Sequence, residues 1–178
     1  MGFCLFNSVA IAAFHARAKH GMRRVVVVDF DVHHGNGTQH SFEHVEGLMY
    51  ASSHQYPAYP GTGSTRETGD YKNIVNVPLA PGAGSKEFRN GYEEVIFPAL
   101  RAFKPELLII SAGFDAHAND PLAQLELKTD DYLWITRQLL DIADDCCDGR
   151  AVSLLEGGYD LDALRDSSSV HVRALMER

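Results

Sequence analysis

Two aspartates and two histidines follow an apolar run in the segment VVVVDFDVHHGNG, residues 25–37. Four consecutive valines are typical of a strand that is buried on both faces, because β-branched side chains favour extended backbone. In a parallel sheet, ligand-binding groups lie where such a strand leaves the sheet. Asp29, Asp31, His33 and His34 occupy that exit. Neighbouring carboxylates repel each other unless a cation or protons intervene, so this D-x-D-x-H run favours a metal site.

Two further strand-like segments end in side chains that can take part in chemistry. ELLIISAGFD ends in Asp115, and AVSLLEGGYD carries Tyr159 after two glycines. Asp31, His33 and Asp115 would give a tetrahedral ion three protein ligands and leave one position open, which is typical of catalytic sites. We therefore expect the three strand ends to converge on one crevice.

This set of residues is suited to metal-assisted amide hydrolysis. A metal ion in the site would lower the pKa of bound water to about 7 and polarise a carbonyl, and Tyr159 would donate its hydroxyl to the oxyanion. Taken singly, however, an aspartate at a strand end is more typical of a turn or a helix cap, and a lone tyrosine of a half-buried side chain. Five other histidines are expected to be structural or exposed: His34, His40, His44, His54 and His117.

Helical and strand-like patterns alternate along the chain. Helices are predicted from a cap at Asn7 or Ser8 to about His20, over 38–44, from Ser85 to Phe103 with a kink at Pro98, and from a cap at Thr129. Strands are predicted at 25–28, 48–52, 74–77 with an end at Pro78, 106–115 and 151–160. The Pro- and Gly-rich segment between the second and third strands predicts a functional loop.

The alternation predicts an α/β fold, with an open, mostly parallel sheet and helices on both faces. At 178 residues the chain is long enough for one domain with a sizeable core, so we treat residues 1–178 as a single domain or part of one.

Composition excludes several classes of function. The net charge is -8 and no Lys/Arg cluster is present, so direct nucleic-acid binding is not expected. Three cysteines do not form a disulfide framework and indicate a reducing interior, from which we predict a cytoplasmic location. No secretory leader or stretch of membrane-spanning length is apparent, so no membrane partner is expected.

The chain resembles the zinc-dependent histone deacetylase and acetylpolyamine amidohydrolase superfamily, in its class II branch. The matching stretches are GFCLFN at 2–7, VVDFDVHHGNGTQ at 27–39, SSHQYPAYPGTG at 52–63, SAGFDAHANDPL at 111–122 and LEGGYD at 155–160. They come in the family's order and cover nearly the whole chain. The resemblance implies an arginase-like three-layer α/β sandwich, here incomplete at its N-terminal side, and hydrolysis of an acetylated protein, polyamine or small-molecule amide.

The resemblance also implies a role for individual residues. It assigns zinc ligation to Asp31, His33 and Asp115 and oxyanion stabilisation to Tyr159. It makes Phe3 and Tyr59 aromatic walls of a substrate tunnel that has Gly157 at its floor. It further implies a structural potassium site formed by Asp29, Asp31, the backbone of His33, Ser52 and the backbone of Ser53.

One family feature has no match in this sequence. Family members carry a Gly-His-His motif upstream of GFC, and its two histidines act as general base and acid; here Met1 and Gly2 directly precede Phe3. The chain is thus expected to be a fragment, a mis-started reading frame or a natural short form, or to need a second chain that supplies the base. We expect impaired activity, and association of two copies through an exposed sheet edge.

Three other interpretations remain open. An aspartate-nucleophile phosphohydrolase would use magnesium and Asp29. An arginase-like two-manganese hydrolase would need more carboxylate ligands than Asp115 and His117 provide. A non-catalytic metal-binding or interaction module would need no general base.

Overall fold

The computed structural model describes residues 4–177 and contains one open, five-stranded parallel sheet with the strand order β3-β2-β1-β4-β5. The strands are β1 (Val25–Asp29), β2 (Leu48–Gln55), β3 (Ile74–Leu79), β4 (Leu107–Ala112) and β5 (Ala151–Leu155). All five residues of β1 are buried, which confirms the prediction of a central strand at the valine run. Asp29 is in register with Ser52 on β2 and Ser111 on β4, so these strands end at one edge of the sheet.

Helices cover both faces of the sheet. They are α1 (Ser8–His20), α2 (Asn36–Phe42), α3 (Ser85–Gly91), α4 (Phe97–Phe103), α5 (Thr129–Cys147) and α6 (Leu161–Met176). Val25 and Val27 pack with residues of α1 and α2, whereas Val26 and Val28 pack with residues of α3, α4 and α5. Alternate side chains of β1 thus pack into two hydrophobic cores, one on each face of the sheet. The predicted three-layer α/β architecture is confirmed.

The helix ends show which caps the sequence predicts and which it misses. Asn7 caps α1 by accepting from the backbone N–H of Ala10, and Gly21 ends the helix with φ 66°, as predicted. At α5 the predicted cap Thr129 is wrong: Lys128 is the N-cap residue. Its backbone N–H donates to the carboxylate of Asp131 at 2.9 Å, so an acidic residue inside the first turn does the capping.

Two prolines behave differently from the sequence prediction. At the kink expected at Pro98, the structure has a π-helical turn over Tyr92–Ile96, which ends two residues before the proline. A wider turn accommodates a residue that lacks an N–H and crowds the preceding turn. The predicted end of the third strand at Pro78 is wrong, because β3 continues to Leu79. It is an edge strand, where a proline can lack an N–H partner on the open side.

None of the helices in the described part of the chain combines the length and the apolar character that crossing a membrane requires.

Candidate functional site

Asp31, His33 and Asp115, here called the metal cluster, meet at the carboxyl ends of β1 and β4. One potential ligand atom from each residue lies within 4.8 Å of the others. Nδ1 of His33 is 3.1 Å from Oδ1 of Asp31 and 3.1 Å from Oδ2 of Asp115. The predicted convergence of two strand ends on one point is therefore observed.

Backbone N–H groups hold the carboxylates of this cluster in place. Asp31 Oδ1 accepts from the N–H of His33 at 2.8 Å, and Asp115 Oδ1 accepts from the N–H of Val32 at 2.9 Å. The N–H of Gly157, which follows β5, donates to Asp31 Oδ2 at 2.8 Å. Segments after three different strands are thus tied together at the cluster.

Two observations indicate that this cluster is suited to bind a cation. Asp115 Oδ2 is fully buried and receives no well-directed hydrogen bond from the described residues, although the His33 ring lies 3.1 Å away. An unsatisfied buried carboxylate oxygen is costly unless a cation compensates it. In addition, a β-carbon on Gly113 or Gly157 would collide with the carboxylates of the cluster, so glycine is needed to keep the space around them. Two carboxylates and one imidazole form a donor set that zinc accepts.

The charges within the cluster perturb one another strongly. The adjacent carboxylates of Asp115 and Asp31 raise the pKa of His33 to about 10. Burial, together with repulsion from Asp31, raises the pKa of Asp115 to about 6. The contact with His33 opposes that second shift, but the loss of solvation outweighs it. Positive charge is therefore strongly favoured at the centre of the cluster.

Tyr159 follows the Gly157–Gly158 turn at the same edge. Its side chain is 38% exposed, and burial together with the nearby charges of Asp115 and Asp31 raises its pKa to about 12. The hydroxyl therefore stays protonated at neutral pH and can donate a hydrogen bond. Gly157 is buried, and its carbonyl accepts from the N–H of Phe114 at 2.7 Å, so the turn is fixed against the segment that carries Asp115.

Tyr59 lies over the metal cluster. Its ring packs edge-on against the ring of His33, with centroids 6.4 Å apart, and the side chain is 58% exposed. Its predicted role as a wall of a substrate tunnel stays a prediction. Phe3, the other predicted wall, lies outside the described residues.

Behind the cluster lies the group predicted to bind potassium. Asp29, Ser52 and Ser53 are buried at the ends of β1 and β2. Asp29 Oδ2 accepts from the hydroxyl of Tyr50 at 2.9 Å, and Oδ1 accepts from the N–H of Asp31 at 3.0 Å. Burial, and then repulsion from Asp31, raises the pKa of Asp29. The structure thus brings these residues together, one layer below the metal cluster.

The histidines predicted to be structural or exposed are found in such positions. His34 and His54 are buried with their rings 4.7 Å apart, and burial lowers the pKa of both, that of His54 to about 4. His40 and His44 are exposed, and His117 is buried, with Nδ1 accepting from the N–H of Asn119.

Some residues that support the site were missed in the sequence. Glu67, far along the Pro- and Gly-rich loop, accepts from the N–H groups of Gly63 and Ser64 and from the amide of Gln39. Although burial opposes it, these hydrogen bonds lower the pKa of Glu67 to about 2. Asp120, near the end of the matched stretch 111–122, binds the backbone of Tyr159. The contacts of Glu67 with Gln39 and of Asp120 with Tyr159 have no local sequence signal, because each joins segments that meet only in the fold.

Comparisons with known proteins agree with this geometry. A family model for the histone deacetylase domain matches residues 1–175. Histone deacetylase 14, a chloroplastic protein of Arabidopsis thaliana, is 44% identical over 179 residues, which cover 99% of this chain and 42% of that protein. A histone deacetylase-like amidohydrolase of Pseudomonas aeruginosa is 39% identical over 163 residues, covering 89% of this chain and 43% of that protein.

A solved structure, the crystal structure of the HDA15 HD domain, superimposes with a TM-score of 0.93 at 39% identity. The match covers 100% of this chain and 51% of that one. The chain therefore spans about half or less of the length of these relatives. From the family match over nearly its whole length, the chain belongs to the histone deacetylase family.

Proposed function

We propose that this chain carries the metal-binding part of a zinc-dependent deacetylase that hydrolyses an acetyl-amide of the acetyl-lysine or acetylpolyamine type. The observation that carries the proposal is the buried, unsatisfied Oδ2 of Asp115, which faces the imidazole of His33 beside Asp31. When bound by these three side chains, zinc would supply Lewis-acid polarisation of the substrate carbonyl and activation of water. The relatives named as deacetylases and amidohydrolases support the reaction class.

Tyr159 is proposed to stabilise the oxyanion. Its raised pKa keeps the hydroxyl protonated, so it can donate as negative charge develops on the carbonyl oxygen. Loss of one such donor typically costs about 2.7–4 kcal/mol of barrier. Replacing Tyr159 with Phe should therefore lower the rate of hydrolysis far more than it lowers zinc affinity.

The substrate is proposed to enter past Tyr59 toward Gly157. A neutral acylated chain can bury its methylenes against the Tyr59 ring, which already packs against His33. At the floor, Gly157 lies so close to the carboxylates of Asp31 and Asp115 that a side chain there would collide with them. The predicted role of Phe3 stays a proposal. The acylated partner is proposed to be a protein, a polyamine or a small-molecule amide.

A structural potassium ion is proposed for the layer below. Oxygen ligands would come from Asp29, Asp31, the backbone of His33, Ser52 and the backbone of Ser53. One buried and one partly buried carboxylate beside buried hydroxyls form an environment that a hard cation stabilises.

The general base is proposed to come from residues other than those described. His34 is bound to Thr62 at 2.7 Å and to Gln39 at 2.9 Å, so both of its ring nitrogens are occupied away from the metal cluster. His54 is bound in the same way to Ser52 and Gly63. The 178-residue segment, assayed by itself, should therefore hydrolyse amides about 10²–10⁴-fold more slowly than a protein that also supplies a base.

Other interpretations are less well supported. Among residues 4–177 one group of three side chains has metal-ligand spacing, and His117 is not in it, which disfavours two manganese ions. Asp29 is buried and hydrogen-bonded through both oxygens, which disfavours a role as phosphohydrolase nucleophile. A non-catalytic metal-binding module would have the same metal cluster. An assay of amide hydrolysis distinguishes it from an enzyme.

Metal analysis tests the proposal directly. After equilibration with zinc and removal of excess, the protein should retain one zinc per chain, and Asp115→Ala should retain none at the same concentration. Asp130→Ala, an exposed acid on α5, is the control and should bind zinc normally. Stoichiometric zinc in Asp115→Ala, or two manganese per chain in the wild type, would contradict the proposal. Hydrolysis of an acetyl-lysine peptide by the wild type then separates an enzyme from a binding module.

Self-association through the edge of β5 is proposed as well, with a second copy of this chain as the partner. Val152 and Leu155 on this edge strand are 47% and 66% exposed. Val152 also lines an apolar groove of about 400 Å³ between α1, β4 and β5, and an open strand edge offers main-chain hydrogen bonds to another strand. Sedimentation should show a dimer that Leu155→Lys disrupts and Leu122→Lys, an exposed loop control, does not. A monomer at all concentrations would exclude this pairing.

The predicted cytoplasmic location also stays a proposal. Cys4, Cys146 and Cys147 are all free thiols, which is consistent with a reducing compartment.

A further inference from the structure

Asp120 is a buried acid. Its carboxylate accepts hydrogen bonds from three backbone N–H groups of the described residues. It lies five residues after Asp115 in sequence and is 7% exposed. Its Oδ2 accepts from the N–H of Tyr159 at 2.8 Å and from that of Asp160 at 3.4 Å. Its Oδ1 accepts from the N–H of Leu122 at 3.0 Å. Both oxygens are therefore used, and one of them holds the residue proposed to bind the oxyanion.

The turn before Tyr159 is fixed from its other side by the metal cluster. The N–H of Gly157 donates to Asp31 Oδ2 at 2.8 Å. Gly158 has φ 145°, and a β-carbon there would lie 2.9 Å from a side-chain carbon of Leu164, so no other residue fits without strain. The backbone of this turn is thus held at Gly157 by the carboxylate of Asp31 and at Tyr159 by the carboxylate of Asp120, with Gly158 between these two points.

The backbone of Tyr159 helps to set the position of its ring. The side chain is 38% exposed, whereas its backbone N–H is bound by a buried acceptor. The position of the phenol hydroxyl therefore depends on how well the backbone at Tyr159 is held. A shift of about 1 Å at a reacting group can lower a rate by about 10²-fold.

We propose that Asp120 is a positioning residue that sets the location of the Tyr159 hydroxyl relative to the metal cluster. The proposal rests on the proposed function, because it assigns the hydroxyl its role in hydrolysis. A carboxylate is required at this place because N–H groups approach both of its oxygens. An amide presents one oxygen and one NH₂ group, so Asn at position 120 satisfies either the Tyr159 side or the Leu122 side but not both.

The test compares Asp120→Asn with Asp130→Asn, an exposed acid on α5, in the zinc-loaded protein. Amide hydrogen exchange is read at Tyr159 and Asp160. In Asp120→Asn, protection of these two amides should fall about 10-fold, the change expected from losing one charged hydrogen bond. Zinc stoichiometry should be unchanged, and the control should match the wild type in both readouts.

Kinetics with an acetyl-lysine peptide give the second readout. Asp120→Asn should lower kcat about 10- to 100-fold with little change in KM. In a Tyr159→Phe background it should have no further effect, since the hydroxyl it positions is already gone. An equal loss in both backgrounds would show a merely structural role and overturn the proposal.

The two proposals fail in different ways. Zinc-loaded wild type that does not hydrolyse the peptide would count against the proposed function. Unchanged exchange at Tyr159 in Asp120→Asn would overturn the positioning role whether or not the protein is active.

Discussion

Two polar regions of this molecule, one half-buried and one buried, hold a histidine between hydrogen-bonding partners, yet one favours a positive imidazole and the other a neutral one. In the metal cluster, His33 lies between two carboxylates that raise its pKa to about 10. In the layer formed by α5, β5 and α6, His171 binds Thr136 and Ser153, and burial lowers its pKa to about 4. We call Thr136, Ser153 and His171 the inner cluster. The neighbours of an imidazole, rather than the imidazole itself, thus decide whether a positive charge is stabilised.

The two clusters also differ in how completely their hydrogen bonds are satisfied. The Thr136 hydroxyl donates to the carbonyl of Tyr132 at 2.6 Å, so it must accept from Nδ1–H of His171, and Ser153 then donates to Nε2. Every ring nitrogen of the inner cluster has a matched partner. In the metal cluster, by contrast, Asp115 Oδ2 receives no well-directed hydrogen bond from residues 4–177, although the His33 ring is 3.1 Å away. A complete network serves stability, whereas an incomplete one marks the place where a ligand binds.

The inner cluster lies directly behind the site. The ring of His171 packs against those of Phe30 and Phe114, with centroids 6.0 and 5.7 Å away. Phe30 lies between Asp29 and Asp31 in sequence, and Phe114 directly precedes Asp115. The inner cluster therefore packs against the segments that carry the metal cluster.

The largest expected effect separates the clusters by their response to zinc. A ligand that binds only the folded state stabilises it by about 4.1 kcal/mol at 1,000 times Kd, and a chelator should remove that gain. Thermal unfolding with zinc and with a chelator should show this difference in the wild type and in His171→Asn. In Asp115→Asn it should disappear. An undiminished zinc effect in Asp115→Asn would show that the ion binds elsewhere.

A smaller effect is expected from removing the inner histidine. His171→Ala deletes two hydrogen bonds and a buried ring and leaves the partly buried Ser153 hydroxyl without its acceptor, so the free energy of unfolding should fall by about 2–3 kcal/mol. Urea denaturation gives the value, and zinc stoichiometry should stay at the wild-type level. His40→Ala is the control, because its side chain is 83% exposed, and it should change stability by less than about 0.5 kcal/mol. If both variants lose the same stability, the inner cluster is not a stabilising network.

These regions also show how far sequence reasoning reaches. The metal cluster was predictable because runs of β-branched and aliphatic residues mark β1 and β4, and parallel strands deliver their C-terminal residues to one edge. Asp31, His33 and Asp115 directly follow those runs. The position of Tyr159 at the same edge was predictable in the same way, because a strand and two glycines precede it.

Contacts between distant segments were not predictable in this way. Asp120 binds the N–H of a residue 39 positions away, and His171 reaches Thr136 across 35 positions. Nothing in the local pattern around either residue distinguishes it from a loop acid or a helix histidine. The cap of α5 was missed for another reason. Two nearby residues, Thr129 and Asp131, can both cap its first turn, and in the fold Asp131 accepts from the N–H of Lys128.

The most gradual predicted effect concerns acid stability and isolates the inner histidine. The pKa of His171 is lowered to about 4 in the folded protein from its ordinary value of 6.5. Between these two pH values the unfolded chain binds a proton that the folded protein does not, so stability falls as the pH drops through this window and is unaffected by this group above it. The slope from one such group is at most about 1.4 kcal/mol per pH unit.

Other groups titrate in the same range, so the comparison must be made between variants. His54, whose pKa burial also lowers to about 4, adds a slope of the same sign, whereas the raised pKa of Asp115 acts in the opposite direction. Urea denaturation of the wild type and His171→Asn from pH 4.5 to 7.5, both with a chelator, cancels these shared contributions. The wild type should show the steeper loss of stability toward acid, because only it retains the buried imidazole of the inner cluster. Parallel curves for the two proteins would mean that His171 accepts its proton as readily in the folded state as in the unfolded chain.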